Sequence, residues 1–314
     1  MIDGQVFFLT LENVATLLLF IALGYLLRRS KVLPDNAGRT LSLLTAMVFT
    51  PAYSISSLSK NFTPDTLGDK AILLLTATVV ILVCTLLANL LSRLLGRTDF
   101  ERRSLTYAFI IPNYGYFGYP TVEGVFGPAM KADMIVYCIP ISLLTNTYGY
   151  LLFSKEKKIS WKRALLSPPV LGVLIGSIIG LSGWKLPTFL DGALTKAGNC
   201  MSPASMILAG FVLGSRSLKS MLSDWRAYAY CAVRMLAIPL VFGTAMILLG
   251  IRDTNLLISL VFLSMPLGLN LVVFPESYGI DAQDNANMCF VSYLMALLVL
   301  PVTFGLIQTL AQLP

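Results

Sequence analysis

The sequence predicts an all-α integral membrane protein of ten transmembrane helices, arranged as two inverted five-helix repeats with the fourth and ninth helices broken. Three observations carry this. Hydrophobic residues make up 56% of the 314 and charged residues 12%, with a mean hydropathy of +0.77, whereas soluble domains carry about 25% charge. Ten apolar runs are each long enough to span a bilayer, which takes about 20 residues. Prolines and glycines recur at a nearly constant offset between the two halves.

The ten runs cover roughly 6–27, 40–59, 71–92, 104–126, 132–153, 164–182, 189–213, 227–249, 254–275 and 285–310. The first should be retained, because Met1-Ile2-Asp3-Gly4-Gln5 lacks the basic n-region of a secretory signal. Connections are short. The basic loop 154–163 divides residues 1–153, the first repeat, from 164–314, the second.

Lys/Arg counts in the loops predict orientation. One side carries 16: Arg28, Arg29, Lys31 and Arg39; Arg93, Arg97, Arg102 and Arg103; five within 155–163; then Arg216, Lys219 and Arg226. The other carries six: Lys60, Lys70, Lys131, Lys185, Lys196 and Arg252. Both termini are therefore expected outside, with loop 154–163 in the cytoplasm. The net charge of +7 lies in these clusters, which read as topology signals facing anionic lipid rather than a nucleic-acid surface.

Proline positions pair across the halves. Pro34 and Pro187 are 153 apart, Pro51 and Pro203 152, Pro112 and Pro266 154, and Pro120 and Pro275 155. That regularity is too great for chance placement of 16 prolines. Five is an odd number of spans, so the second copy must enter the membrane from the opposite face, a design common among secondary transporters.

The fourth span holds Ile111-Pro112-Asn113-Tyr114-Gly115-Tyr116-Phe117-Gly118-Tyr119-Pro120, and the ninth Met265-Pro266-Leu267-Gly268-Leu269-Asn270 with Pro275 beyond. Such runs interrupt a helix. Broken backbone survives in a membrane only where protein or a water-filled cavity covers it. Paired breaks point to a transporter's binding site. Half-helix N-termini attract carboxylates without a formal charge, and Asn113 and Asn270 add amides. The alternative is two proline-kinked helices whose asparagines only satisfy freed backbone. Pro51 and Pro203 read more simply as kinks, their neighbours Thr50, Ser54, Ser202 and Ser205 either facing a cavity or bonding back to their own helix.

Arg234 is the clearest intramembrane ionisable group, a functional candidate by default. It lies eight residues from Arg226, hence about 12 Å deep. Two readings stay open: counter-charge for an anionic substrate, or snorkelling to the cytoplasm. Glu12 and Glu123 read as interfacial. Of the polar positions Asn89 and Asn146, Asn146 is the better cavity candidate because Thr145, Thr147 and Tyr148 flank it.

The chain has no histidine, which removes His relays, Ser-His triads and most zinc sites. The string Gly180-Leu181-Ser182-Gly183 therefore has no base to activate its serine. The five cysteines (84, 138, 200, 231 and 289) sit in apolar runs without a C-x-x-C pair and read as small hydrophobes. No catalytic, metal or cofactor site is expected. The chain lacks a G-x-x-x-x-G-K-S/T loop, so ATP drive would need another subunit.

Asn113-Tyr114-Gly115-Tyr116-Phe117-Gly118-Tyr119-Pro120 resembles the N-x-G-aromatic-x-G-x-P crossover of the auxin efflux carrier family. That family includes plant PIN-type carriers and bacterial permeases for malate and malonate. Met265-Pro266 through Asn270, with Tyr278-Gly279 following, is similar to its second crossover. The resemblance implies a scaffold of helices 1, 2, 6 and 7, a transport domain of helices 3–5 and 8–10, elevator-type motion, and a homodimer through the scaffold. It implies that Asn113 and Asn270 contact a substrate carboxylate while Pro112 and Pro266 keep the breaks open. Gly115, Asn146 and Arg234 are further substrate-site candidates on the strength of their own positions in the sequence. The short central loop departs from the plant members, so kinase control does not transfer. The third span holds no carboxylate, and the sodium-site pattern of the related bile-acid symporters is not evident.

The expectation is a secondary transporter in the plasma membrane (the inner membrane, in a bacterium). Its substrate would be a small organic anion such as malate, malonate or an auxin-like acid. The alternatives are a sodium-coupled bile-acid-type symporter and a transport-dead sensor on the same fold.

Overall fold

A computed structural model of the protein describes residues 3–154, 162 and 165–311. Most of the central loop 154–163 therefore lies outside the described residues. The chain is helical throughout, and among the described residues the one β-type pairing is a single bridge.

Helix α1 is Gly4–Arg29, α2 Ala37–Asn61 and α3 Pro64–Leu95. Then come α4 Asp99–Ile110, α5 Tyr114–Tyr137 and α6 Ile139–Gly149. The second half has α7 Pro168–Ser182, α8 Thr188–Asn199, α9 Met201–Leu213 and α10 Leu218–Ser223. It ends with α11 Trp225–Leu248, α12 Thr254–Ser264, α13 Asn270–Ser277 and α14 Gln283–Ala311. Polar side chains start several of them: Asp3 accepts from the Val6 amide, Thr98 from Glu101 and Asp253 from Asn255, quenching orphan N–H groups.

Helix lies in each of the ten expected stretches, but among the described residues only five helices (α1, α2, α3, α11 and α14) are long and apolar enough to cross a bilayer alone. The α5–α6 pair, bent by 44°, makes a sixth. The shortfall comes from breaks. The 104–126 stretch is split at 111–113, 189–213 at Cys200, and 254–275 at 265–269. The gap expected between 126 and 132 shrinks to one residue, Gly127, whose φ of 86° lets the chain turn inside α5. Large apolar side chains such as Leu19, Leu86, Leu240 and Leu298 are more than two-thirds exposed, the surface of a protein that sits in lipid.

Prolines set the local irregularities. Of the four π-turns among the described residues, Thr45–Phe49, Tyr114–Gly118 and Val233–Ala237 end two residues before Pro51, Pro120 and Pro239, while Thr145–Gly149 has no proline after it. A proline cannot donate to the preceding turn, and the π-turn absorbs the missing bond.

Glycines set the closest helix contacts. A Cβ on Gly172, Gly176 or Gly180 of α7 would lie 2.6–2.9 Å from α2 backbone at Pro51, Ile55 and Leu58. Here the helix backbones touch directly, as small residues allow in membranes. A Cβ on Gly24 of α1 would come within 2.0 Å of the Ile207 carbonyl of α9. Gly24 and Gly176 are 152 residues apart, as are Ile55 and Ile207. The two seams thus use the same pair of positions with the roles of the halves exchanged.

Candidate functional site

The two helix breaks meet. Past the end of α4, Ile111 is extended (φ −110°, ψ 97°), and past α12 so is Met265 (φ −61°, ψ 147°). These short strands pair antiparallel at Pro112 and Leu267. The Asn113 amide donates to the Pro266 carbonyl at 2.7 Å. Gly268 permits the approach, since a Cβ there would lie 3.3 Å from the Pro112 carbonyl oxygen. Each break thereby satisfies part of the other's freed backbone.

Helix α14 supports the crossing. The Leu267 amide donates to Ser292 Oγ at 3.1 Å, and Asn113 Nδ2 to the Tyr293 hydroxyl at 3.1 Å. Phe117 stacks on the Tyr293 ring at 6.1 Å and 4°. Asn285 Nδ2 donates to the Leu271 carbonyl at 2.8 Å. The sequence reasoning did not single out Ser292, Tyr293 or Asn285. Their signal was three polar residues inside the apolar tenth run.

Beside the crossing is a cavity of about 310 Å³. Its walls come from α2 (Ser42, Thr50, Ser54), the first break and α5 (Pro112, Asn113, Gly115, Tyr116), α6 (Ser142, Asn146), the start of α7, and Asn270 of α13. Among the described residues no Lys, Arg, Asp or Glu lines it. Five of the expected residues therefore come together: Pro112, Asn113, Gly115, Asn146 and Asn270. Pro266 and Arg234 are not among the lining residues; Pro266 contributes its carbonyl to Asn113. Arg234 is wholly buried and donates through Nη1 to the Leu263 carbonyl at 2.9 Å, so it does not snorkel to the aqueous border.

The donors facing this cavity are unequal. The first turn of α5 closes with the Gly118 amide on the Asn113 carbonyl at 2.9 Å. That leaves the N–H groups of Tyr114, Gly115 and Tyr116 as the orphan donors of a helix start. At α13 the amides of Leu271, Val272 and Val273 turn back to Gly268 and Leu269 at 2.9–3.1 Å. The symmetric arrangement of helix ends that the sequence suggested is thus weighted to α5. A Cβ on Gly115 would meet nothing within 4 Å, so that residue leaves open space beside those donors. Asn113 is 4% exposed with its amide nitrogen engaged, and Asn270 is half-buried. Asn146 Nδ2 bonds back to Ser142 at 2.8 Å.

Of the weaker candidates, Thr50 and Ser54 line the cavity, Thr50 while bonding to the Thr45 carbonyl. Pro51 instead packs on Gly172. Asn89 accepts from the Tyr148 hydroxyl at 3.0 Å, away from the lining. Glu123 holds Lys131 and accepts from the Tyr53 hydroxyl at 3.0 Å.

A cavity between two broken helices that sets amides and hydroxyls among apolar side chains, in a protein clad in apolar residues, suits passage of a small solute. Comparison with known proteins agrees. The chain is similar to an uncharacterized transporter of Methanothermobacter thermautotrophicus, 28% identical over 95% of this chain and 98% of the relative. It is also similar to one of Methanocaldococcus jannaschii, 24% identical over 92% and 96% of the two chains. A family model described as membrane transport protein matches residues 9–159 and 153–304, so the chain belongs to that family of membrane transport proteins, the one its crossover motif resembles.

Proposed function

We propose that the protein is a secondary transporter moving a small organic anion, a mono- or dicarboxylate of the malate or malonate kind, across the plasma membrane. The observation that carries this is the crossover cavity, in which orphan amides at the start of α5 converge with Asn113 and Asn270. A helix start of this kind attracts carboxylates through its dipole and free N–H groups. The cavity's ~310 Å³ lies at the low end of the roughly 300–1,000 Å³ usual for ligand sites. That favours a small acid over a substrate of bile-acid size.

In this reading the chain forms ten spans as an inverted repeat. The offset of 152 shared by Gly24–Gly176 and Ile55–Ile207 supports it. Helices α1, α2 and α7–α9 form a scaffold through which two copies associate, and the remaining helices carry the crossover in an elevator-type movement. Both termini face outward, consistent with the Lys/Arg bias.

The test is uptake of radiolabelled malate, malonate and indole-3-acetate by proteoliposomes, alongside ligand-dependent thermal stabilisation. At least one acid should be moved and should raise the melting temperature. Asn113→Ala and Asn270→Ala should weaken that ligand's apparent affinity by about tenfold or more, the loss of one to two charge-assisted hydrogen bonds. A ligand that stabilises both variants as strongly as the wild type would remove the crossover site. Binding without flux would favour a sensor.

A further inference from the structure

The crossing has a second side, where α4 and α12 end. Their last carbonyls carry the negative ends of two half-helix dipoles into the membrane. Phe109 and Leu263, 154 residues apart, occupy matching positions there, and each is met by one side chain. Cys84 Sγ of α3 donates to the Phe109 carbonyl at 3.2 Å, and Arg234 Nη1 of α11 donates to Leu263 at 2.9 Å. Cys84 and Arg234 are close enough to interact electrostatically. Arg234 is wholly buried, and its Nε and Nη2 have no hydrogen-bond partner. Among the described residues no carboxylate pairs with it.

A guanidinium held in a membrane interior without a counter-ion is costly. The α12 end compensates it directly through the Leu263 carbonyl, and the α4 end is linked to it through Cys84, which holds the Phe109 carbonyl. In broken-helix transporters, half-helix C-terminal ends and unwound carbonyls are where a coupling cation is held, while N-terminal ends face the anionic substrate. Resting on the anion-carrier reading above, we propose that Arg234 is a resident cation in the coupling-ion position, so the anion is bound and moved without a co-transported sodium ion. Arg234 is a positioning residue: it does not line the cavity, and it acts across the crossing by its charge, which arginine never gives up. A fixed positive charge there also repels any metal cation from the same carbonyls.

The experiment compares wild type, Arg234→Gln and Arg234→Lys in detergent and in proteoliposomes, with malate as dianion probe and lactate as monoanion probe, in sodium or choline buffer. Wild-type affinity and flux should change less than about twofold between the two buffers. Arg234→Gln should weaken binding by about tenfold per ligand charge, so malate loses far more than lactate. Arg234→Lys should recover most of the loss. A merely structural arginine would cost both probes equally and would not be rescued by charge alone. Wild-type affinity or flux rising more than about threefold with sodium overturns the proposal, as does an Arg234→Gln protein that binds malate like wild type. If Arg234→Gln does not fold, the sodium comparison on wild type and Arg234→Lys decides. If wild type binds and moves no anion, the anion-carrier reading fails and this inference with it. Transport with an unaffected Arg234→Gln removes this inference alone.

Discussion

Two contacts flank the crossover cavity, related by the repeat offset and built from different side chains. On one, Tyr53 of α2 stacks on Tyr119 of α5 at 6.0 Å and 8°, donates to Glu123 at 3.0 Å, and lies 4.8 Å beneath the Lys131 ammonium. On the other, the residues one offset further along are Ser205, Val273 and Ser277. There a pocket of about 580 Å³ opens among Arg28, Arg39, Leu208, Phe211 and Glu276. Ser42 and Val273 line both this pocket and the crossover cavity. Two tyrosines and a glutamate close one side, while Val273 and Ser277 line an opening on the other. Side-chain volume separates the two sides. Under the proposed transport cycle this is one end state, open toward the side that carries Arg28 and Arg39.

The largest expected difference between the two sides is in thiol access. Cys200 is exposed and the other cysteines are buried, so a Cys200→Ala background isolates an introduced thiol. Val273→Cys should react with a water-soluble maleimide about a hundredfold faster than Tyr119→Cys, the factor set by a closed contact that opens at a cost of ~2–3 kcal/mol. Equal rates would abolish the distinction. Filling the open side comes next. Ser277→Trp, at an exposed position, should leave the melting temperature within a few degrees and cut transport about tenfold by obstructing the pocket. Loosening the closed side should act more mildly. Tyr53→Phe removes one hydrogen bond to a carboxylate, about 1.5–3 kcal/mol at most for a buried group and less here because Glu123 is partly exposed. The expected result is a two- to fivefold gain in Tyr119→Cys labelling, within the roughly tenfold that 1.4 kcal/mol allows. The smallest effect is at the rim. Arg39→Gln should raise the apparent KM for the anion about two- to threefold at low salt, a difference that vanishes near 0.5 M salt as screening removes the steering field.

What could be read from the chain beforehand was governed by backbone chemistry. Pro112, Pro266 and Gly268 disfavour helix, and their clustering with further glycines and prolines made the breaks at 111–113 and 265–269 legible, whereas the lone Pro51 and Pro301 lie within continuous helices. Their mutual contact was announced only by the repeat. Asn113, Asn270 and Gly115 reached the cavity because they sit at breaks, and Asn146 was marked by its polar neighbours within an apolar run. The supporting shell was not legible. Tyr293 contacts the first crossover from 180 residues away and Ser292 the second from 25, and nothing local in α14 says which helix it faces. Arg234 shows the same limit differently. Its depth followed from the sequence, but whether it would face the cavity, the lipid border or the C-terminal end of α12 is a tertiary fact. The wall formed by Ser167, Pro168 and Pro169 likewise depends on how α7 is laid against α2. Fewer long helices than expected spans are seen for a local reason, since length thresholds miss helices that end at Ile110, Asn199 and Ser264.

The glycine seam between α2 and α7 has a mechanical consequence. Where Gly172, Gly176 and Gly180 bring backbone onto backbone, there are no rotamers between the helices to rearrange. Shear at a packed interface proceeds by small side-chain adjustments, and a joint without side chains has none to make. It behaves as a weld. Relative displacement is left to surfaces that keep side chains between them, such as the Tyr53–Tyr119 stack.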